Sequence, residues 1–166
     1  MKHPESVLQM LCVSWFYSQY PKHLIYSIPN GVRLTTSRAG AREKRMGMLA
    51  GMPDLSIPFR NDSYFGLFVE MKVAGNYLSD LQAERRQFLL NQGYCVVVCW
   101  KFEDFESAIR AYMKNDAHFL EEHIRVVDEM LEAKANRKLK KRTKILPKIK
   151  ERKASHGTST SYVNQY

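Results

Sequence analysis

The chain has 166 residues, 45% of them hydrophobic, which is enough for one packed domain. Its 26 Lys and Arg against 17 Asp and Glu give +9, yet residues 134–153 alone hold eleven bases and one acid, leaving 15 basic and 16 acidic residues elsewhere. The basicity thus belongs to one segment, and the lack of any long uninterrupted apolar run excludes a membrane span of about eighteen residues or more.

Pro4-Glu5 opens a helix with Val7, Leu8, Leu11, Trp15 and Phe16 at helical spacing. Glu5 and the lack of a small-residue cleavage site argue against a secretory signal. His23–Ile28 reads as a strand ended by the turn Pro29-Asn30-Gly31. Thr36 or Ser37 caps a short basic helix that stops at Gly51. Asp54–Pro58 and Gly66–Lys72 form a hairpin around Asn61-Asp62-Ser63. Ser79 begins a helix running to about Gln92 and closed by Gly93. Tyr94–Trp100, apolar on both faces, reads as a central covered strand.

Cys95 and Cys99 in that strand, with Cys12, fit small buried hydrophobes in a reducing compartment, because no CxxC or spaced His pair accompanies them. Phe102–Met113 is amphipathic. A last helix over 116–135 carries Leu120, Ile124, Val127 and Leu131 in a stripe suited either to a dimer surface or to its own sheet. It leads into the basic segment, broken at Pro147, and then into a polar tail, 154–166, of disordered composition. The order predicts an α/β layer arrangement with a mixed sheet of about four strands.

The hairpin carries the chemistry. A turn centred on Asp62 sets Asp54 opposite Glu70, with Cβ atoms about 4.5–5.5 Å apart. Lys72, two residues on, points to the same face, while Leu55, Ile57, Leu67, Val69 and Met71 line the other. Facing carboxylates repel unless one takes a proton or a hard cation sits between them. The plainer alternative is a mixed-charge cluster on a solvent-facing sheet.

Pro53-Asp54, a gap of fifteen residues, and Glu70-Met71-Lys72 resemble the PD-(D/E)xK nuclease signature. With Pro29-Asn30-Gly31 and Arg33, the run Gly47–Asp54, Leu78–Gln82 and Gly93-Tyr94, the succession resembles the VRR-NUC branch (virus-type replication and repair nucleases) over roughly residues 4–113. The resemblance implies a restriction-endonuclease-like core, with a four-stranded mixed sheet flanked by helices and a C-terminal helical extension. It implies phosphodiester hydrolysis dependent on Mg²⁺ or Mn²⁺. Asp54, Glu70 and the Met71 carbonyl match the metal ligands, and Lys72 matches the residue that orients the attacking water. Glu5 matches an acid on the first helix that lies near the metals and helps hold a second one, and Gln82 a glutamine that steadies the site. Glu5 also suits a helix N-terminus, and Gln82, three residues after Ser79, also suits a capping box.

Arg33, Arg38, Arg42, Lys44 and Arg45 precede the motif, and Arg38, Arg42 and Arg45 share one helical face; phosphate contact competes here with a solvated surface. Arg85 and Arg86 stand evenly between the same two readings. In the basic segment, Lys138, Lys140, Lys141 and Arg142 are candidates for sequence-independent DNA contact, against a solvated helix end, an RNA-binding arm or a targeting tail. Together these point to an endonuclease of branched DNA, resembling homodimeric enzymes that cut four-way junctions, in a cytoplasm and of phage or prophage origin. A nonspecific or nicking nuclease and a nucleic-acid-binding accessory protein are the rivals. The expected organisation is a nuclease domain over 1–114, a helical extension with a basic arm over 115–153, and the tail.

Overall fold

The computed structural model describes residues 4–29 and 37–155, without the side chains of 37–39, 142 and 144–155. Asn30, Gly31 and Arg33, the side chains of Arg38 and Arg142, and the tail from 156 lie outside these residues. The elements follow in the order α1 (Pro4–Gln19), β1 (Tyr26–Ser27), α2 (Ser37–Arg45), β2 (Leu55–Ile57), β3 (Leu67–Met71), α3 (Asp80–Asn91), β4 (Cys95–Cys99), α4 (Phe102–Met113) and α5 (Ala117–Ser155). The sheet order is β1-β2-β3-β4, antiparallel except for the parallel pair β3–β4 that α3 connects. This is the mixed four-stranded sheet with flanking helices that the sequence predicts.

Strand alternation sorts the core. Leu67, Val69 and Met71 of β3 and Cys95, Val97 and Cys99 of β4 join one apolar cluster with Cys12 and Phe16 of α1 and Phe105, Ile109 and Tyr112 of α4. Trp15 and Tyr20 pack against that cluster, so most of the aromatic run on α1 serves the core. Phe68 and Glu70, with Val96 and Val98, alternate to the opposite face. Burial pushes the Cys12 and Cys95 thiols up to about 12 and Cys99 well above the usual range, as suits packed, inert thiols.

Two helices end on glycine in the left-handed region and one on asparagine. After α2, Gly47 (φ 97°) donates its N–H to Lys44 O and Met48 to Glu43 O, the paired bonds of a Schellman motif. That motif stops α2 at Arg45, short of the Gly51 expected from sequence. Gly93 closes α3 in the same way, and Asn115 (φ 56°) closes α4. The first strand is likewise shorter than predicted, Tyr26–Ser27 in place of His23–Ile28. Its partner β2 is three residues long and stands between Pro53 and Pro58, which have no N–H for a ladder.

Two further expectations change in α5. The helix continues through Pro147 instead of breaking there. One proline removes a single backbone donor, about 3 kcal/mol, and the Lys, Arg, Leu and Glu residues around it favour helix. The apolar stripe is also committed: Leu120 and Val127 are buried and Ile124 packs against the chain's own core, so this face is not a free dimer surface. Two compact units divide the chain, one running to Asp128 and one starting at Glu129. The described part of the second is helical, with Arg137, Lys138, Lys140 and Lys141 exposed.

On α5, His123 Nε2 accepts the Val98 N–H of β4 at 3.1 Å, which requires a neutral imidazole. Burial, aided by the nearby Arg86 guanidinium, lowers its pKa below 6.5 against the pull of Asp104. The unfolded chain therefore binds the proton more readily, so this bond stabilises the fold above pH 6.5 and is lost as acid passes the lowered pKa. His123→Leu leaves the Val98 N–H unpaired and should cost about 1–3 kcal/mol in urea denaturation at pH 8. The gap to the wild-type protein should narrow as the pH falls below 6.5; a gap constant with pH would contradict this account.

Candidate active site

The hairpin register is Leu55↔Val69, Ser56↔Phe68 and Ile57↔Leu67. One step further along the same pairing sets Asp54 against Glu70, as the sequence predicts. Asp54 does more than face its partner, because its Oδ2 accepts the Met71 N–H at 2.8 Å. Beyond the end of β3, the Lys72 N–H still donates to Cys99 O at 2.9 Å, so the backbone under the lysine stays tied to β4.

These side chains are not on a solvent-facing sheet. Glu70 is 3% exposed and Lys72 8%. Lys72 Nζ pairs with Glu70 Oε1 and lies 3.4 Å from the Met71 carbonyl oxygen. Gln82 Nε2 donates to the same Glu70 oxygen at 2.5 Å. The same side chain completes a helix cap. Its Oε1 accepts the Ser79 N–H at 2.9 Å while Ser79 Oγ accepts the Gln82 N–H at 3.2 Å, a complete capping box. With the amide oxygen engaged in the cap, the amide nitrogen is turned toward Glu70.

Burial and the charge of Asp54 push the Glu70 carboxyl up to about 7, against the pull of Lys72 and with a smaller push from Glu5. Asp54, Glu70 and Glu5 thus share one electrostatic neighbourhood that carries more negative charge than Lys72 offsets. No group of three His, Cys, Asp or Glu side chains stands close enough to hold a metal among the described residues. Mg²⁺, however, is commonly held by one or two carboxylates with waters completing its shell. Asp54, Glu70 and the Met71 carbonyl form an all-oxygen set, which suits a hard cation. The residues fit the ion that the motif implies.

The basic candidates divide. Arg42, Lys44 and Arg45 are exposed on the last turns of α2. Arg86 is not a phosphate contact: it is 2% exposed, pairs with Asp128, and donates to Ile124 O at 2.9 Å. Sequence reading missed this anchoring role, although Arg86 follows Gln82 by one helical turn and so shares its inward face. Gly51 (φ 80°), expected only as a helix stop, has another role, since an added Cβ there would stand 2.8 Å from Leu81 Cγ and 3.2 Å from Leu81 backbone atoms. The loop before Asp54 can approach α3 this closely because position 51 has no side chain.

A hairpin with paired acids and an adjacent lysine, followed by a helix crossing to a parallel strand, defines the core of a PD-(D/E)xK nuclease. The VRR-NUC domain profile matches residues 2–100, over half of the chain, and the protein belongs to that family. A solved structure described as a VRR_NUC domain protein is similar at 29% identity and a TM-score of 0.56, covering 69% of this chain and 91% of that one. No curated protein matches the sequence.

Metal binding to the acid pair should be visible without turnover. Mg²⁺ or Mn²⁺ at roughly 100 times its Kd should stabilise the protein by about 2.7 kcal/mol over EDTA, raising its unfolding temperature. Asp54→Asn, whose Oδ1 can still accept the Met71 N–H, should fold and lose that shift. An equal shift in the variant would remove Asp54 from the ligand set.

Proposed function

We propose that the protein is a divalent-metal-dependent endonuclease acting on branched DNA, in the manner of a Holliday-junction resolvase. The observation that carries the reading is the pairing of Asp54 with a buried Glu70 that Lys72 and Gln82 hold. Asp54, Glu70 and the Met71 carbonyl would hold Mg²⁺ or Mn²⁺, with Glu5 adding negative charge nearby. When bound, such an ion polarises a phosphoryl oxygen and lowers the pKa of a water nucleophile.

The chain's own residues do the positioning. An ammonium has three donors, and Lys72 directs one to Glu70 and one toward the Met71 carbonyl. The third is left to orient a water for in-line attack on phosphorus. Gln82 fixes the Glu70 carboxylate so that both acids keep one geometry. Arg42, Lys44 and Arg45 on α2 supply phosphate contacts, and Arg33 and Arg38 belong to the same basic stretch of sequence. The exposed bases of the second unit, with Arg142 beside them in sequence, supply salt-dependent grip without base readout.

A homodimer suits this reading, since a two-fold axis presents two sites to opposed strands. With the α5 stripe committed to its own core, the exposed Val7, Met10 and Leu11 of α1 and Tyr26 of β1 are the better candidates for that contact. No helix among the described residues is long and apolar enough to cross a membrane.

Incision of four-way, flap, nicked and linear DNA in Mn²⁺, with EDTA controls, tests the activity. Four-way junctions should be cut fastest, and Lys72→Met should slow cleavage by about 10²–10⁴-fold. Cleavage unchanged in Lys72→Met or Asp54→Asn would sink the assignment, and equal rates on all DNAs would favour a nonspecific nuclease. Replacing Lys138, Lys140, Lys141 and Arg142 together by Gln should lower the slope of log K against log salt by about 3–4, near 0.9 per lost phosphate contact. An unchanged slope would remove the arm from DNA binding.

A further inference from the structure

A cavity of about 500 Å³ is lined mainly by Ile28, Met46, Met48, Leu49 and Met52, with Glu43 at its wall. This volume falls within the range of small-ligand pockets, about 300–1,000 Å³. The cavity is joined to the candidate active site by two connections. Met52 stands two residues before Asp54, and the Ile28 N–H donates to the Asp54 carbonyl at 2.8 Å. None of its residues enters the core cluster. Met46 is 66% exposed and Leu49 48%, so these two side chains are not part of the packed core.

The lining specifies its occupant. Thioethers and aliphatic side chains favour a flat, polarisable ring. Glu43 turns a phosphate away from the cavity itself. Arg42, Lys44 and Arg45, exposed on the helix that leads into Met46, attract an anionic chain running past it. A ring carried on such a chain is a nucleobase, and a basic track beside a surface that receives base faces is the general arrangement of single-strand binding.

We propose that this cavity receives one unpaired nucleobase next to the phosphodiester held at Asp54 and Glu70. The preferred substrate class is then DNA with an unpaired, loosely stacked base at a branch point or bulge, which leaves the stack on entering the cavity. In a continuous duplex the protein would have to unstack that base at its own cost. The proposal rests on the nuclease reading above for its placement beside the scissile bond.

The test uses the full chain and bulged or branched DNA carrying 2-aminopurine at successive positions, in EDTA so that nothing is cut. Fluorescence should rise several-fold at one position, where the base leaves the stack. The double variant Met46→Gln, Leu49→Gln, changed only at exposed side chains, should abolish the rise and weaken binding of bulged DNA about tenfold, as for one lost stacking contact. Its affinity for continuous duplex should be unchanged. If no position brightens, or the variant brightens like the wild-type protein, the cavity is not a base pocket. If brightening occurs as expected and no DNA is incised in Mn²⁺, the base pocket stands and the nuclease reading fails.

Discussion

The structure depends on keeping one carboxylate, Glu70, out of water. An apolar residue would pack more favourably at that point of β3, and a charge there is tolerated only with partners. Lys72 and Gln82 are those partners, and both are fixed by backbone structure. Lys72 is tied through its N–H to β4, and Gln82 is oriented by the Ser79 cap at the start of α3. Since α3 is the crossover that makes β3 and β4 parallel, the element that sets the topology also sets the acid. Removing the cap would disturb the site as well as the helix.

The first turn of α3 is accordingly a junction. Leu81 meets the Gly51 loop that delivers Asp54, while Gln82 reaches Glu70 from the other strand. Four residues on, Arg86 fastens the same helix to Asp128 and to the Ile124 carbonyl. The two acids thus come from different strands but are referred to one helix. A site whose supports converge in this way holds its geometry more tightly than one built on independent loops.

The hairpin was legible because one face of it is entirely apolar, and a slip of one residue would have buried Asp54 and exposed Leu55. The capping box and the Gly93 stop were legible because their chemistry is local. The end of α2 is equally local, but Gly47 and Gly51 both lie in the left-handed region, and only Gly47 sits where the paired cap bonds to Lys44 and Glu43 close the helix. Burial of the site was not legible. The helix that covers it, α3, has a largely polar sequence, and the inward position of Arg86, which reads equally as phosphate contact or solvated surface, follows only from its partners on α5.

The bond from Val98 to His123 has a meaning beyond its contribution to stability. Strand β4 ends the sheet on one side, and an outermost strand with open N–H groups is a template for another chain. A histidine from α5 occupies one of those donors, and α5 itself packs beside the strand through Leu120. On the opposite side β1 is two residues long, a short border of the kind that discourages strand addition. Growth of the sheet between molecules is thus opposed at both margins, and any pairing of two copies is left to side chains rather than to a shared ladder.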